Sequence, residues 1–374
     1  MIKNVQLNNF RNFNTLDIEI ASGNNVIIAP NGSGKSNFLE SIYYSINGYS
    51  FRHFESIKDF IGPNFDFANI EISLEDGSSL QNVIKKTDNG IRKTTKLNGQ
   101  IKKNIEFAYQ YPILYFVPGS ISIVDGDPSH RRSEFDNFLT IWAKDYLDYI
   151  EKYKHVLKNR NKLLQRISKS ENKDNVIGEI DFWNDKLVEY GSQIILNRID
   201  LVNSINHLSF DKSLNLFKNF YNKLKIENNF IEYKPSISVS TSIDKISTEE
   251  IKQIFFEKLK SNFQKELILQ QTLYGPHRDD FVFKFFIHNL KFFGSRGQQR
   301  LGILFFKILQ AIIYKERYGM YPFMLFDDLL SEMDSENSKL VLEFIQNMDF
   351  NFILTSSQKL DIEFRDINYI DILA

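Results

Sequence analysis

Three clusters in this 374-residue chain have the residue types and spacing of a phosphate-handling site. The first is Ala29-Pro30-Asn31-Gly32-Ser33-Gly34-Lys35-Ser36, which fits the pattern G-x-x-x-x-G-K-[ST] with Ala29 in place of the first glycine. Gly32 and Gly34 let successive backbone N–H groups turn inward around phosphates, with a helix N-terminus beneath them. Lys35 is placed to reach the β- and γ-phosphates, and Ser36 offers its hydroxyl to Mg²⁺. Ala29 is tolerable because the cradling amides come from later positions. The second cluster is the apolar run Phe323-Met324-Leu325-Phe326, ending in Asp327-Asp328. A carboxylate at such a strand end can hold Mg²⁺ opposite Ser36, a role that falls to Asp327. Asp328 is then placed to orient or deprotonate an attacking water. An acid pair alone could simply cap a turn; together with the phosphate loop it completes a phosphoryl-transfer site. The third cluster, Ser295-Arg296-Gly297-Gln298-Gln299, precedes a long helical pattern. The Ser295 hydroxyl and Gly297 amide at a helix N-terminus suit a γ-phosphate. By itself that cluster reads equally as a helix capped by Ser295.

These clusters need elements to hold them. Residues 2–8 and 16–20 alternate apolar and polar, as half-buried strands do, and 25–29 is a short apolar run leading into the loop. A helical pattern follows through Phe38, Leu39, Ile42, Tyr43 and Ile46 and stops near Gly48. Segments 68–74, 81–86 and 93–97 read as antiparallel strands divided by Asp76-Gly77 and Asn89-Gly90, strong hairpin signals. Segment 113–117 is a further buried strand. From 128 to about 168 the pattern predicts one long helix, with Phe135, Phe138, Leu139, Trp142, Tyr146, Tyr149 and Tyr153 at helical spacing. A break at 172–175 and a second helix over 177–208 complete an αα-hairpin. Segment 236–242 reads as a strand edge or loop, and 251–269 as an amphipathic helix. The last hundred residues alternate again: strand 281–287, helix 298–317, strand 322–326, helix 337–348, strand 351–355. The expectation is an α/β ATPase head assembled from both chain ends, with an inserted helical lobe. Its parts would be 1–127 and 271–374 for the head and 128–270 for the lobe.

Composition narrows the class. The chain has no cysteine, which excludes disulfides and thiolate metal sites and fits a reducing compartment. No basic-then-apolar leader follows Met1-Ile2-Lys3-Asn4, and the most apolar helix, 301–313, is too short to span a bilayer and carries Lys307 and Gln310. A cytoplasmic protein without membrane attachment is expected. Net charge is −1, yet cations are clustered. Lys85, Lys86, Arg92, Lys93, Lys96, Lys102 and Lys103 face a single acid, Asp88. Lys154, Lys158, Arg160, Lys162, Arg166 and Lys169 have no acid among them. Such runs either solvate a surface or track phosphates. Lys154, Lys158, Arg160, Lys162 and Arg166 are the first candidates for a DNA contact, and the 85–103 segment is the second.

The order of the three clusters resembles SMC/ABC-type ATPases, and their wide separation is similar to the RecF family. The likeness runs nearly the whole chain. It includes Leu7-Asn8-Asn9-Phe10-Arg11-Asn12-Phe13, Gly48-Tyr49-Ser50-Phe51-Arg52 and Gly126-Asp127-Pro128-Ser129-His130-Arg131-Arg132, with Trp183, Leu187, Gly191 and Arg198 beyond. Its most specific pieces are Gly275-Pro276-His277-Arg278-Asp279-Asp280 and Asp327-Asp328-Leu329-Leu330-Ser331-Glu332-Met333-Asp334.

The resemblance implies an ATPase that binds ATP and Mg²⁺ and dimerises head to tail on ATP, and the short side chain of Asp328 predicts slow hydrolysis. It also implies a clamp on single-stranded or duplex DNA at gaps that helps RecO and RecR load RecA in recombinational repair and replication. It further implies that Ser295 and Gly297 meet the nucleotide of the opposite subunit, that 331–334 line the dimer interface, and that Thr355 and Ser356 occupy the nucleotide switch position. Asp328 stands where faster relatives of this class carry glutamate. An ABC transporter subunit is disfavoured by the long insert and the missing membrane segment. An OLD-like or other SMC-related ATPase acting on DNA lacks the 126–132 and 275–280 matches. A scaffold that holds ATP without hydrolysing it is disfavoured by intact Lys35, Asp327 and Asp328.

Overall fold

A computed structural model describes residues 1–52, 56–169, 177–209, 218–226, 229–238, 246–331, 333–357 and 367–372. The expected break at 172–175 and most of the 236–242 segment lie outside these. The chain forms two compact units, one of Met1–Ser120 with Leu304–Ala374 and the other of Ile121–Ile303. The first unit is therefore assembled from both chain ends, as expected of a head. Residues 271–303, assigned to the head from sequence, group instead with the middle of the chain.

The first unit contains two sheets. A five-stranded sheet has the order Ile367–Ile370, Asn24–Ile28, Phe352–Ser356, Phe323–Phe326, Ile113–Phe116, and every neighbouring pair is parallel. Its central strands are covered on both faces, so they are apolar at consecutive positions: Met324, Leu325 and Phe326 are all fully buried. A six-stranded antiparallel sheet runs Phe13–Glu19, Ile2–Phe10, Phe67–Leu74, Ser79–Thr87, Gly90–Leu97, Gln100–Ile101. Its hairpin signals are confirmed: Gly77 and Gly90 take φ of 83° and 115°, which a side chain would disfavour. Helix Lys35–Asn47 buries Phe38, Leu39, Ile42, Tyr43 and Ile46 and packs on strands of both sheets. Phe60 and Tyr44 meet edge-on at 4.6 Å beneath it. The edge strand Ile367–Ile370 is not anticipated by the sequence pattern.

In the second unit, the single helix expected over 128–168 is two, Pro128–Trp142 and Tyr146–Lys169. Ala143 leaves the helix with φ −116° and ψ 108°. The chain turns there because Tyr146 returns its hydroxyl to Asp136 at 2.5 Å, and Arg198 grips the same carboxylate. The expected 251–269 helix is likewise divided into Thr248–Ser261 and Phe263–Leu269. Asn262 stops it by donating its side-chain amide to the Lys258 carbonyl at 2.9 Å, a local bond that competes with helix continuation. Helices Tyr146–Lys169 and Ile177–Ser209 pack together as the αα-hairpin. A three-stranded sheet of His288–Asn289, Asp280–Phe285 and Ile231–Lys234 completes the unit. Its core strand presents Phe281 to Phe135, stacked at 3.7 Å.

Candidate active site

Strand Asn24–Ile28 delivers the chain into the loop 29–34, and helix Lys35–Asn47 starts directly after it. The loop closes because Gly32 and Gly34 take φ of 82° and 102°. Gly34 is required twice over. A Cβ there would also lie 2.6 Å from atoms of Asn12 and Phe13. Lys35 is buried and donates from Nζ to the carbonyls of Ala29 at 2.6 Å and Pro30 at 2.9 Å. An ammonium held on two loop carbonyls at the loop's own mouth is in position to be exchanged onto phosphate oxygens.

Strand Phe323–Phe326 ends at Asp327, whose amide extends the ladder to the Phe116 carbonyl at 2.8 Å. Asp327 is buried; Asp328 follows with φ of 46°, a region that Asp tolerates. Lys35, Ser36, Asp327 and Asp328 line one cleft of about 320 Å³, together with Asn31, Gly32 and Gly34. The donor set fits a magnesium nucleotide. One hydroxyl and one carboxylate suffice for a cation that keeps several waters and takes further oxygens from phosphates. Among the described residues no cluster of three or more acids or histidines could hold a metal by itself.

Besides Pro118, three residues of this cleft are not singled out as site residues by the sequence: Asn12, Asn37 and Arg52. They form a chain over the loop. Asn12 donates to the Ser33 carbonyl at 3.4 Å and accepts from Asn37 at 2.6 Å, and Arg52 donates to Asn37 at 3.0 Å. Beneath them Glu40, fully buried on the loop helix, pairs with Arg11 at 2.7 Å and Arg52 at 3.4 Å. Burial holds the Arg11 guanidinium below its ordinary value, and Glu40 opposes that shift. A buried glutamate between two arginines is the available signal, but nothing in their spacing announces it.

Thr355 and Ser356 are placed differently from expectation. Neither lines the cleft. Thr355 lies beneath it, donating to Asp327 at 2.7 Å and accepting the Asp328 amide at 3.0 Å. Ser356 contributes its carbonyl to the Ala29 amide at 3.2 Å, anchoring the start of the loop. Thr355 thus braces the two carboxylate residues, and the Ser356 backbone braces the loop.

In the second unit, Ser295 is exposed and caps helix Arg296–Tyr318, accepting from the Gln298 amide at 3.3 Å while Gln298 accepts from the Ser295 amide at 2.9 Å. This is a capping box, the local reading of Ser295. Gly297 stands in the first turn of the same helix. Of the 331–334 segment, Asp334 caps helix Ser335–Gln346 through the Asn337 amide at 2.7 Å, and Glu332 lies outside the described residues.

The segments 126–132 and 275–280 are tied together inside the second unit. Arg198, buried, donates to the Pro276 carbonyl at 2.7 Å, to Asp279 at 3.1 Å and to Asp136 at 2.9 Å. Arg131 meets Asp280 through two bonds of 2.7 and 3.1 Å, and Arg132 donates to the Asp279 carbonyl at 2.7 Å. Burial pushes the Asp279 carboxyl up although Arg198 pulls it down. Tyr233 and the Ser236 amide also bond to that carboxylate.

The cation run of the first long helix is corrected at one position. Lys154, Lys158 and Lys162 are exposed, and Arg166 is exposed but paired with Glu179. Arg160 is fully buried, bonded to Glu266 at 2.6 Å, Asn184 at 2.8 Å and Thr272 at 2.8 Å. It braces the hairpin and is not available to DNA. In the other run, Lys85 and Arg92 are exposed directly across from each other on adjacent strands.

Comparison with known proteins follows the same outline. The family model described as the RecF/RecN/SMC N terminal domain matches residues 1–369. DNA replication and repair protein RecF of Carboxydothermus hydrogenoformans is 32% identical over 97% of this chain and 96% of its own length. The chain belongs to the RecF family. A RecF of a Thermoanaerobacter species is also 32% identical, over 97% of this chain and 95% of its own. A solved structure of the recombination mediator RecF with ATP, from the RecFOR pathway, superposes with a TM-score of 0.83 at 26% identity, covering 99% of this chain and 95% of that one. An SMC head bound to the C-terminal winged-helix domain of ScpA shares the fold, with a TM-score of 0.50 at 16% identity over 96% of this chain and 90% of its own. The RecF family is thus an ABC/SMC-type ATPase fold, and no described helix of this member is long and apolar enough to cross a membrane.

Proposed function

We propose that this chain is a slow ATPase of recombinational DNA repair and replication that binds ATP with Mg²⁺, dimerises on ATP and clamps DNA at gaps. The observation that carries the proposal is convergence. The glycine-rich loop, Lys35, Ser36, Asp327 and Asp328 come from segments far apart in sequence and line one cleft of about 320 Å³. In this reading the loop amides of 31–34 and Lys35 hold the phosphates, while Ser36 and Asp327 hold the cation. The cation would neutralise charge on the phosphates. Asp328 orients the attacking water and accepts its proton. Ser295 and Gly297 meet the nucleotide of a second copy, and 331–334 line the interface.

Likeness to RecF supports RecO and RecR as partners in loading RecA, in the cytoplasm. DNA contact would go to phosphates and be largely independent of sequence, since no recognition-helix motif is apparent. Lys154, Lys158 and Lys162 are the first candidates, with 85–103 the second. The test is a fluorescent-nucleotide titration of the wild type and Lys35→Met, followed by self-association and DNA binding with and without ATP. Lys35→Met is expected to abolish nucleotide binding, because the phosphates lose their principal cationic contact. Unchanged affinity would sink the assignment of the loop.

A further inference from the structure

Segment 275–280 does not line the nucleotide cleft, yet buried side chains of the second unit hold it from both ends. Gly275 takes φ of 128°, and a Cβ there would collide with the Tyr153 hydroxyl and lie 2.8 Å from the Phe255 ring. Only glycine lets the turn press onto the helices that carry those rings. Arg198 grips the Pro276 carbonyl and the Asp279 carboxylate, and the Arg278 amide donates to the Gly275 carbonyl at 2.9 Å. Pro276 and Asp279 are buried, His277 is half-buried, and Arg278 between them is exposed. Burying Arg198 and Asp279 costs desolvation that a surface turn alone does not require. The network makes sense if the direction of its one exposed residue, Arg278, has to be fixed.

Two guanidiniums meet at this turn. Arg132 donates to the carbonyl of Asp279, the residue after Arg278, at 2.7 Å. Both arginines lie close enough to the His277 ring to oppose its protonation, beside the larger effect of burial. Arg278 donates to the neutral side chain of Gln271 at 3.0 Å. Among the described residues neither is in an ion pair, unlike Arg131 with Asp280 and Arg198 with Asp136. Burial and Arg198 hold the Arg132 guanidinium below its ordinary value, although Asp279, Asp136 and Asp280 oppose them. The facing helix continues the charge. Tyr153 bonds His277 at 2.6 Å, and the next residue after each, Lys154 and Arg278, is exposed. Asn161, which accepts from the Thr272 amide and hydroxyl at 2.8 and 2.7 Å, lies about two turns beyond Lys154 and within about 20° of it around the helix. Lys154 therefore stands on the side of helix Tyr146–Lys169 that meets the turn, and the exposed Lys158 and Lys162 follow at steps of about 6 Å.

We propose that Arg278, with Arg132 beside it, is a fixed phosphate-binding fork that holds the DNA backbone where it leaves the lysine row of helix Tyr146–Lys169. This rests on the DNA binding of the preceding section and deepens it by naming the rigid contact. A guanidinium presents its donors in a planar fork that matches a phosphate, and one held by a braced backbone loses little freedom on binding. Lysines on flexible stems attract the polyanion, and a fixed arginine sets its register and orientation without reading sequence. Cations in line at steps of about 6 Å suit a chain of phosphates better than a single free one.

The experiment compares the wild type with Arg278→Gln and Arg278→Lys in the full-length chain. Affinity for a short labelled DNA duplex is measured with ATP across a salt series. Affinity for a fluorescent ATP analogue, ATP-dependent self-association and urea denaturation are followed beside it. Arg278→Gln should weaken duplex binding about tenfold or more. It should also lower the slope of log affinity against log salt by roughly 0.9 for each phosphate no longer neutralised. Arg278→Lys keeps the charge and loses the fork, so the wild-type slope should return while affinity recovers only in part. Analogue affinity, self-association and the urea midpoint should stay at wild-type values in both variants, because Arg278 is exposed and does not line the cleft. Duplex affinity and salt slope unchanged in Arg278→Gln overturn the proposal. A loss of duplex affinity matched by a loss of stability or self-association also overturns it, since Arg278 would then be structural. A wild type that does not bind the duplex at any salt concentration sinks the DNA reading itself, and the fork with it.

Discussion

The hydroxyl of Thr355 donates to Oδ1 of Asp327 at 2.7 Å and accepts the amide of the next residue, Asp328, at 3.0 Å. One side chain on strand Phe352–Ser356 thus sets both the rotamer of the proposed cation ligand and the backbone of the proposed base on the neighbouring strand. Thr355→Val keeps the shape and removes both bonds. A hydrogen bond to a charged group contributes roughly 1.5–3 kcal/mol, so affinity for a fluorescent ATP analogue should fall about tenfold or more with Mg²⁺ present. Without Mg²⁺ the two proteins should bind alike, and Thr355→Ser should restore the wild-type value. An equal loss in both conditions would mean that Thr355 acts on the fold alone.

Asp328→Asn tests the base separately from binding. Asparagine accepts the same left-handed backbone, so the φ of 46° should survive the change. Positioned general bases contribute typically 10²–10⁴-fold, and steady-state ATP turnover should fall by about a hundredfold or more. Nucleotide affinity and ATP-dependent DNA binding should remain. Normal hydrolysis by this variant refutes the role.

Much of this site is legible in the sequence because its demands are local. Gly32 and Gly34 supply positive φ where amides must converge, and the carboxylates stand where a buried strand must end. Asn12, Asn37 and Arg52 are not legible as a unit, since they meet only through tertiary folding of a hairpin turn onto the loop helix. Position on a strand does not tell which neighbour a hydroxyl serves, so the sequence points Thr355 at the nucleotide while the fold turns it onto Asp327. Arg160 differs from the other cations of its run for a geometric reason. On a helix it lies about 200° around from Lys158 and Lys162, which places it on the opposite face.

That geometry separates two kinds of substitution. Lys154, Lys158 and Lys162 repeat every four residues on one exposed face. Replacing all three with alanine should leave thermal stability nearly unchanged. If the row tracks DNA phosphates, the slope of log affinity against log salt should shrink by roughly 0.9 for each phosphate no longer neutralised. Arg160→Ala should instead destabilise by about 3–5 kcal/mol, because Glu266 is left charged and fully buried. A wild-type salt slope in the triple variant would assign the DNA surface to 85–103 instead.

His277 gives the second unit a calculable response to acid. Its Nδ1 lies 2.6 Å from the Tyr153 hydroxyl and its Nε2 lies 3.2 Å from the Thr272 carbonyl. A neutral ring protonated on Nε2 satisfies both, accepting from the tyrosine and donating to the carbonyl. Burial, reinforced by Arg278, Arg132 and Arg160, lowers its pKa from 6.5 to about 4. The folded state therefore binds fewer protons than the unfolded state between these values, and stability rises with pH across that window. Above about pH 6.5 the effect vanishes, since the ring is neutral in both states. On acidification the protein should lose about 2 kcal/mol by pH 5 from this residue, and about 3 kcal/mol once the folded-state value is passed. Urea denaturation at about pH 7.5 and about pH 5 measures the loss in the wild type and in His277→Gln, which cannot titrate. The variant should be less stable at the higher pH but show a pH dependence smaller by that amount. If both proteins lose stability equally between the two pH values, the ring is not held neutral by the fold.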